Sequence, residues 1–191
     1  MVRCPSTSTS SHRERRAASV VLDAIVEAAA AESPLWRDAA LPPEERVREP
    51  VFSMLAPDGH ALGVETIYEG YLVHYGRSRL FAPGDPDTAL LLGDYLYAHG
   101  LVRVAATGDV VAVADLAELI SLCAQSRAEG RDGDGAAWAA TSASLGKGAL
   151  DLARAALRER GDSTVLDLLA RVATGDRAVD EALSAHARLV G

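Results

Sequence analysis

The stretch YLVHYGRSRLFAPGDPDTALLLGDYLYAHG, from Tyr71 to Gly100, decides the fold. It reads as the end of one helix, a short loop and the start of a second helix. Gly84 and Asp85 punctuate the loop. Pro86 follows at the first helical position, where a missing amide costs nothing and a fixed φ suits the helix. Beyond it, Leu92, Tyr95, Leu96, His99 and Val102 recur at three- and four-residue spacing, the stripe of an amphipathic helix.

The same punctuation recurs along the chain, at Gly108-Asp109, Gly133-Asp134, Gly161-Asp162 and Gly175-Asp176. Glycine closes helices because it tolerates left-handed dihedrals, and aspartate opens them by accepting from unpaired amides. The periodic stretches between these pairs predict helices over 17–32, 43–56, 60–76, 86–107, 109–129, 134–160, 163–173 and 176–190. Pro50 should end or kink the second. In 109–129 the residues Leu116, Leu119, Ile120 and Cys123 give one buried face. No β-hairpin signal is present, and the β-branched run Val110 to Val113 lies inside a helical pattern. Long amphipathic helices with short loops predict an all-α antiparallel bundle. No repeat or linker divides it, so a single domain over 17–191 is expected behind a Ser/Thr-rich, disordered tail at 1–16.

Composition agrees. The 191 residues suffice for one substantial core, and apolar residues, mostly Ala, Leu and Val, make up 49% while aromatics make up 5%. A formal net charge of −8 argues against nucleic acid, which needs a basic face. Cys4 lies in the polar tail and Cys123 in a helical stripe, a placement that argues against a structural disulfide and for the cytoplasm. The start has basic residues but no apolar segment of a secretion signal before Ala17. The apolar run Thr88 to Tyr97 is too short to span a bilayer and carries Asp94.

The segment Leu90 to Ala98, LLLGDYLYA, resembles the LxGDxLxxxA helix of the trans-isoprenyl diphosphate (polyprenyl) synthases. The resemblance extends over Val64 to Leu157 and includes the Gly108-Asp109 turn and the helix Val110 to Arg127. It implies a shortened isoprenoid synthase fold, a bundle enclosing an apolar cavity. In that family the preceding helix ends in a His and an Asp-Asp-x-x-Asp motif that holds magnesium. Here Leu72-Val73-His74 is followed by Tyr75, Gly76, Arg77, Ser78 and Arg79, without a carboxylate. The second Asp-rich motif is reduced to Asp167, and the Lys-Thr pair and the N-terminal Gly-Lys-x-x-Arg-Pro signature have no clean counterpart. Ionising an allylic diphosphate calls for several carboxylates around magnesium. The family's catalytic and metal residues are therefore not carried over, and no cofactor is expected.

Other chemistry is sparse. Arg77 and Arg79 are either phosphate contacts or a solvated helix end. His60, His74 and His99 match no metal spacing, though His74 and His99 could meet across adjacent helices. Tyr68, Tyr71 and Tyr75 share one helical face, with Tyr95 on the neighbouring helix. They are either core packing with hydroxyls at the rim or the wall of a ligand cavity. Gln125 could line the same cavity. The cavity candidates are thus Tyr71, His74, Tyr75, Tyr95, His99 and Gln125.

Two functions fit. One is a non-catalytic accessory or regulatory subunit, pairing through its helices with an active prenyl diphosphate synthase or with itself. The other is a stand-alone binding protein for an isoprenoid or another apolar ligand.

Overall fold

The computed structural model describes residues 8–190, with side chains from Val20 onward. Of the tail expected at 1–16, residues 1–7 lie outside the described residues, and the first helix, α1, spans Ser8–Glu32. It is followed by α2 (Pro34–Asp38), α3 (Ala61–Tyr75), α4 (Pro86–Ala105), α5 (Val110–Ala128), α6 (Asp134–Ala143), α7 (Asp151–Arg160), α8 (Thr164–Thr174) and α9 (Asp176–Val190). The described residues hold no β-strand, only an isolated antiparallel bridge between Ala40 and Phe81. The all-α expectation is met.

Two expected helices are corrected. The first, over 43–56, is an irregular path with one 3-10 turn, Ser53–Leu55. Pro42, Pro43, Pro50 and Pro57 withhold amides throughout this stretch, so no helical ladder can form. Its backbone instead runs beside residues 79–82: Leu41 N donates to Leu80 O at 2.9 Å, Val47 N to Arg79 O at 3.1 Å, and Ala82 N to Ala39 O at 2.7 Å. The second, over 134–160, is broken into α6 and α7 at Gly146 and Gly148, whose φ angles of 78° and 59° are left-handed. Asp115 pins the break. It accepts from the Gly146 amide at 3.0 Å and from buried Arg154 at 3.2 Å.

The Gly-Asp junctions work as expected at three places, one of them Gly161-Asp162, where Gly161 closes α7 with a φ of 69° and Asp162 accepts from Thr164 N at 3.0 Å. Asp85 accepts from Thr88 N and Asp109 from Ala112 N, each at 2.9 Å, caps that contribute about 1 kcal/mol apiece. Asp134 differs: it sits inside the first turn of α6 and is buried.

α3 is the central element, buried on every side from Gly63 through Leu72. It runs antiparallel to α4, and glycines bring the two backbones together. A Cβ on Gly70 would lie 2.9 Å from Gly93 O, and one on Gly100 would lie 3.0 Å from Gly63 O. On the other side of α3 the main core includes Phe52, Leu116, Leu119, Trp138, Leu157 and Leu166. A second core joins α1 and α2 to Leu80, Phe81, Leu92 and Leu96.

Candidate functional site

Buried charge on α3 organises two clusters. In the first, the side chains of Arg79, Glu65 and Glu69 are all fully buried. Arg79 Nε donates to Glu69 Oε2 at 3.0 Å, and its Nη1 lies 2.8 Å from Glu65 Oε2 and donates to Glu49 O at 2.9 Å. Glu69 Oε1 also accepts from Ser78 Oγ and from the amides of Arg79 and Leu80. Glu65 Oε1 accepts from the amides of Val51 and Ser53, each at 3.0 Å. Burial alone would lower the Arg79 pKa, but the two carboxylates overcome it and hold the guanidinium charged. The cluster therefore ties the irregular 41–59 path and the 76–83 loop to α3.

The second cluster joins α3, α5, α6 and α9. Arg127 Nε and Nη2 donate to Tyr71 Oη at 2.9 and 2.7 Å, and Tyr71 in turn donates to Asp134 Oδ2. Arg127 Nη2 also pairs with Asp134 Oδ2 at 2.5 Å. His186 Nδ1 lies 2.9 Å from Tyr68 Oη, and its Nε2 stands 3.6 Å from Asp134 Oδ1, longer than a hydrogen bond. Burial by itself would raise the Asp134 pKa, yet His186, Tyr71 and Arg127 hold it below the usual carboxylate range. Burial and the Asp134 charge push the Tyr71 hydroxyl far up, so its proton stays on oxygen. Phe52, Tyr68, Tyr71, Trp138 and His186 fill the space around these groups with rings 5.0–5.9 Å apart. A protonated tyrosine between an arginine and a permanent carboxylate is a fixed strut; it is neither base nor nucleophile.

The sequence candidates scatter. Tyr71 and Tyr75 do share a face with Tyr68, their rings 5.3–5.9 Å apart. Tyr95 does not join them: it stacks on Trp36 of α2 at 5.6 Å and on His99 at 5.3 Å. Tyr97, absent from the candidates, is the α4 tyrosine that faces α3, with its ring 5.1 Å from His74. His74 is thus engaged with Tyr97 and Asp94, whereas His99 faces Tyr95. Gln125 donates to Glu129 at 3.0 Å near the end of α5. Neither reading of Arg79, a phosphate contact or a solvated helix end, describes a guanidinium enclosed by two glutamates. Arg77 remains exposed, its amide donating to Leu189 O at 2.7 Å.

Arg77 borders an open groove of about 500 Å³ where α3 ends, lined by Leu41, Val47, Leu72, Val73, Phe81 and Pro83, with Glu45 at its edge. Among the described residues, no group of three or more His, Cys, Asp or Glu side chains is placed to hold a metal ion. No helix among them is long and apolar enough to cross a membrane. Cys123 is a buried free thiol, which burial pushes well above its ordinary pKa and makes unreactive.

No protein-family model, curated protein or solved structure matches the chain.

Two features went unread in the sequence. Glu65 and Glu69, spaced i, i+4 on an otherwise apolar helix, signalled a buried cation. Asp134 read as an ordinary cap, and nothing local marked its link to Tyr71 or His186.

Proposed function

We propose that the chain is a non-catalytic, polyprenyl synthase-like protein acting by association, as an accessory or regulatory subunit beside an active prenyl diphosphate synthase or as a homodimer. The observation that carries this reading is the commitment of the buried acids. Glu65, Glu69 and Asp134 are each held by an arginine together with backbone or tyrosine donors. The side chains of Glu65 and Glu69 are fully buried and that of Asp134 nearly so. Prenyl transfer needs the opposite arrangement: clustered carboxylates facing a cavity and holding magnesium. The kinship rests on the LLLGDYLYA segment, whose Gly93 has a packing role here because a Cβ would strike the His74 ring. The cytoplasm suits a protein that keeps Cys123 as a buried thiol.

The test is to mix the purified chain with a polyprenyl diphosphate synthase encoded in the same genome. The reading predicts co-elution and a changed product-length distribution. Separate elution with unchanged products would refute the accessory role.

The groove beside Arg77 favours a second reading, a stand-alone carrier of an isoprenoid or another apolar ligand. It offers an apolar floor with one cation at the rim, the arrangement an amphipathic anion would use. Magnesium-independent binding of farnesyl diphosphate, lost in Arg77→Glu, would support it.

A further inference from the structure

The groove beside Arg77 has a preformed frame. One wall is the irregular path at 41–47: Leu41 N donates to Leu80 O, Val47 N to Arg79 O, and Arg46 Nε to Leu41 O at 2.8 Å. The other wall is the end of α3 and the loop after it, where the Arg77 amide is fixed to Leu189 O of α9 at 2.7 Å. The rim carries an acid as well as a cation. Glu45 stands on the first wall and Arg77 on the second, both exposed. Among the described residues neither side chain forms an ion pair or a hydrogen bond. Their neighbours are committed. Arg46 and Arg48 pair with Asp23, and Arg79 is enclosed by Glu65 and Glu69. Ser78 Oγ donates to Glu69 and accepts from the Phe81 amide.

We infer that this groove binds a small zwitterion with an apolar body, an apolar amino acid or a short apolar peptide, its carboxylate on Arg77 and its ammonium on Glu45. This rests on the carrier reading and specifies the ligand's head. Charge complementarity argues for it. A simple anion would find Arg77 but also meet Glu45, in a chain of formal net charge −8. A diphosphate would want several cations, and Arg79, the second arginine of the lining, is already spent on two glutamates. A zwitterion has no net charge for the chain to repel and gives each rim group a partner. A guanidinium takes a carboxylate through two parallel N–H donors, and a carboxylate accepts from an ammonium. Size agrees: about 500 Å³ lies within the roughly 300–1,000 Å³ of small-molecule sites. The apolar floor at Leu72, Val73 and Phe81 takes the side chains while the two charges fix the orientation.

The experiment is titration calorimetry on the full chain with L-leucine and L-leucyl-L-leucine, beside N-acetyl-leucine, leucinamide and octanoate, which each lack one of the two charges. Saturable binding of leucine or its dipeptide is expected, and the tighter of the two identifies the source. The singly charged probes should bind about tenfold more weakly, the loss expected when a hydrogen bond to a charged group goes unmade. Arg77→Gln and Glu45→Gln should each weaken the zwitterion by a similar factor with circular dichroism unchanged, both positions being exposed. Octanoate binding as tightly as the zwitterions would overturn the inference, as would zwitterion binding that neither substitution weakens. The two readings fail separately. Heat from octanoate or farnesyl diphosphate with none from either zwitterion removes the zwitterion and keeps the carrier. Silence from every ligand removes both.

Discussion

Arg79→Met is the substitution whose cost follows most directly from the structure. It keeps side-chain length and apolar contact but removes the cation between Glu65 and Glu69, all three side chains being 0% exposed. The amide donors from Val51, Ser53 and Leu80 survive, so the loss falls on charge compensation. Removing one partner of a buried ion pair costs about 3–5 kcal/mol. For a domain of this size each kcal/mol lowers Tm by about 2–4 °C, so the expected drop is about 6–20 °C. Calorimetry and urea unfolding followed by circular dichroism at neutral pH would measure it. The triple variant Glu65→Gln, Glu69→Gln, Arg79→Met leaves no charge in this cluster and should recover more than half of the loss. A single variant within about 1 kcal/mol of wild type, the value of an exposed pair, would refute the reasoning.

Three further outcomes are expected. Asp134 has its pKa lowered from 3.8. It therefore contributes stability above the unfolded value that is lost as pH falls through the folded one, so stability should drop steeply below about pH 4. Asp134→Asn should flatten that drop, and an unchanged acid profile would contradict the assignment. Gly70→Ala places a Cβ 2.9 Å from Gly93 O and 3.0 Å from the Tyr97 ring, overpacking that should cost about 1–3 kcal/mol in urea unfolding. A neutral result would mean α3 and α4 can separate freely. Burial lowers the His74 pKa below 6.5 while Asp94 opposes the shift. In Asp94→Asn the NMR midpoint of His74 should therefore move further down, and a rise would show that Asp94 does not stabilise the charged imidazole.

Most of the helical framework was legible because local signals set it. Glycine and aspartate mark the ends of α4, α5, α8 and α9, and the Tyr68-Tyr71-Tyr75 row follows from spacing alone. The helix expected over 43–56 did not form because prolines at 42, 43, 50 and 57 withhold amides within and beside it. The break at Gly146 and Gly148 carries no Gly-Asp pair of the kind that marks the other junctions, so the expected helix ran through it. The polar clusters depend on tertiary contact. Tyr68 and His186 are 118 residues apart, and Tyr71 and Asp134 are 63 apart. No local pattern joins such partners. Glu65 and Glu69 were visible on a buried helix, but Arg79 as their counter-ion required the fold.

Titration calorimetry with farnesyl diphosphate, with and without magnesium, tests the non-catalytic reading most directly. The account predicts no magnesium-dependent heat, because the buried acids are already held by Arg79, Arg127 and backbone amides. Binding that appears only with magnesium would contradict it.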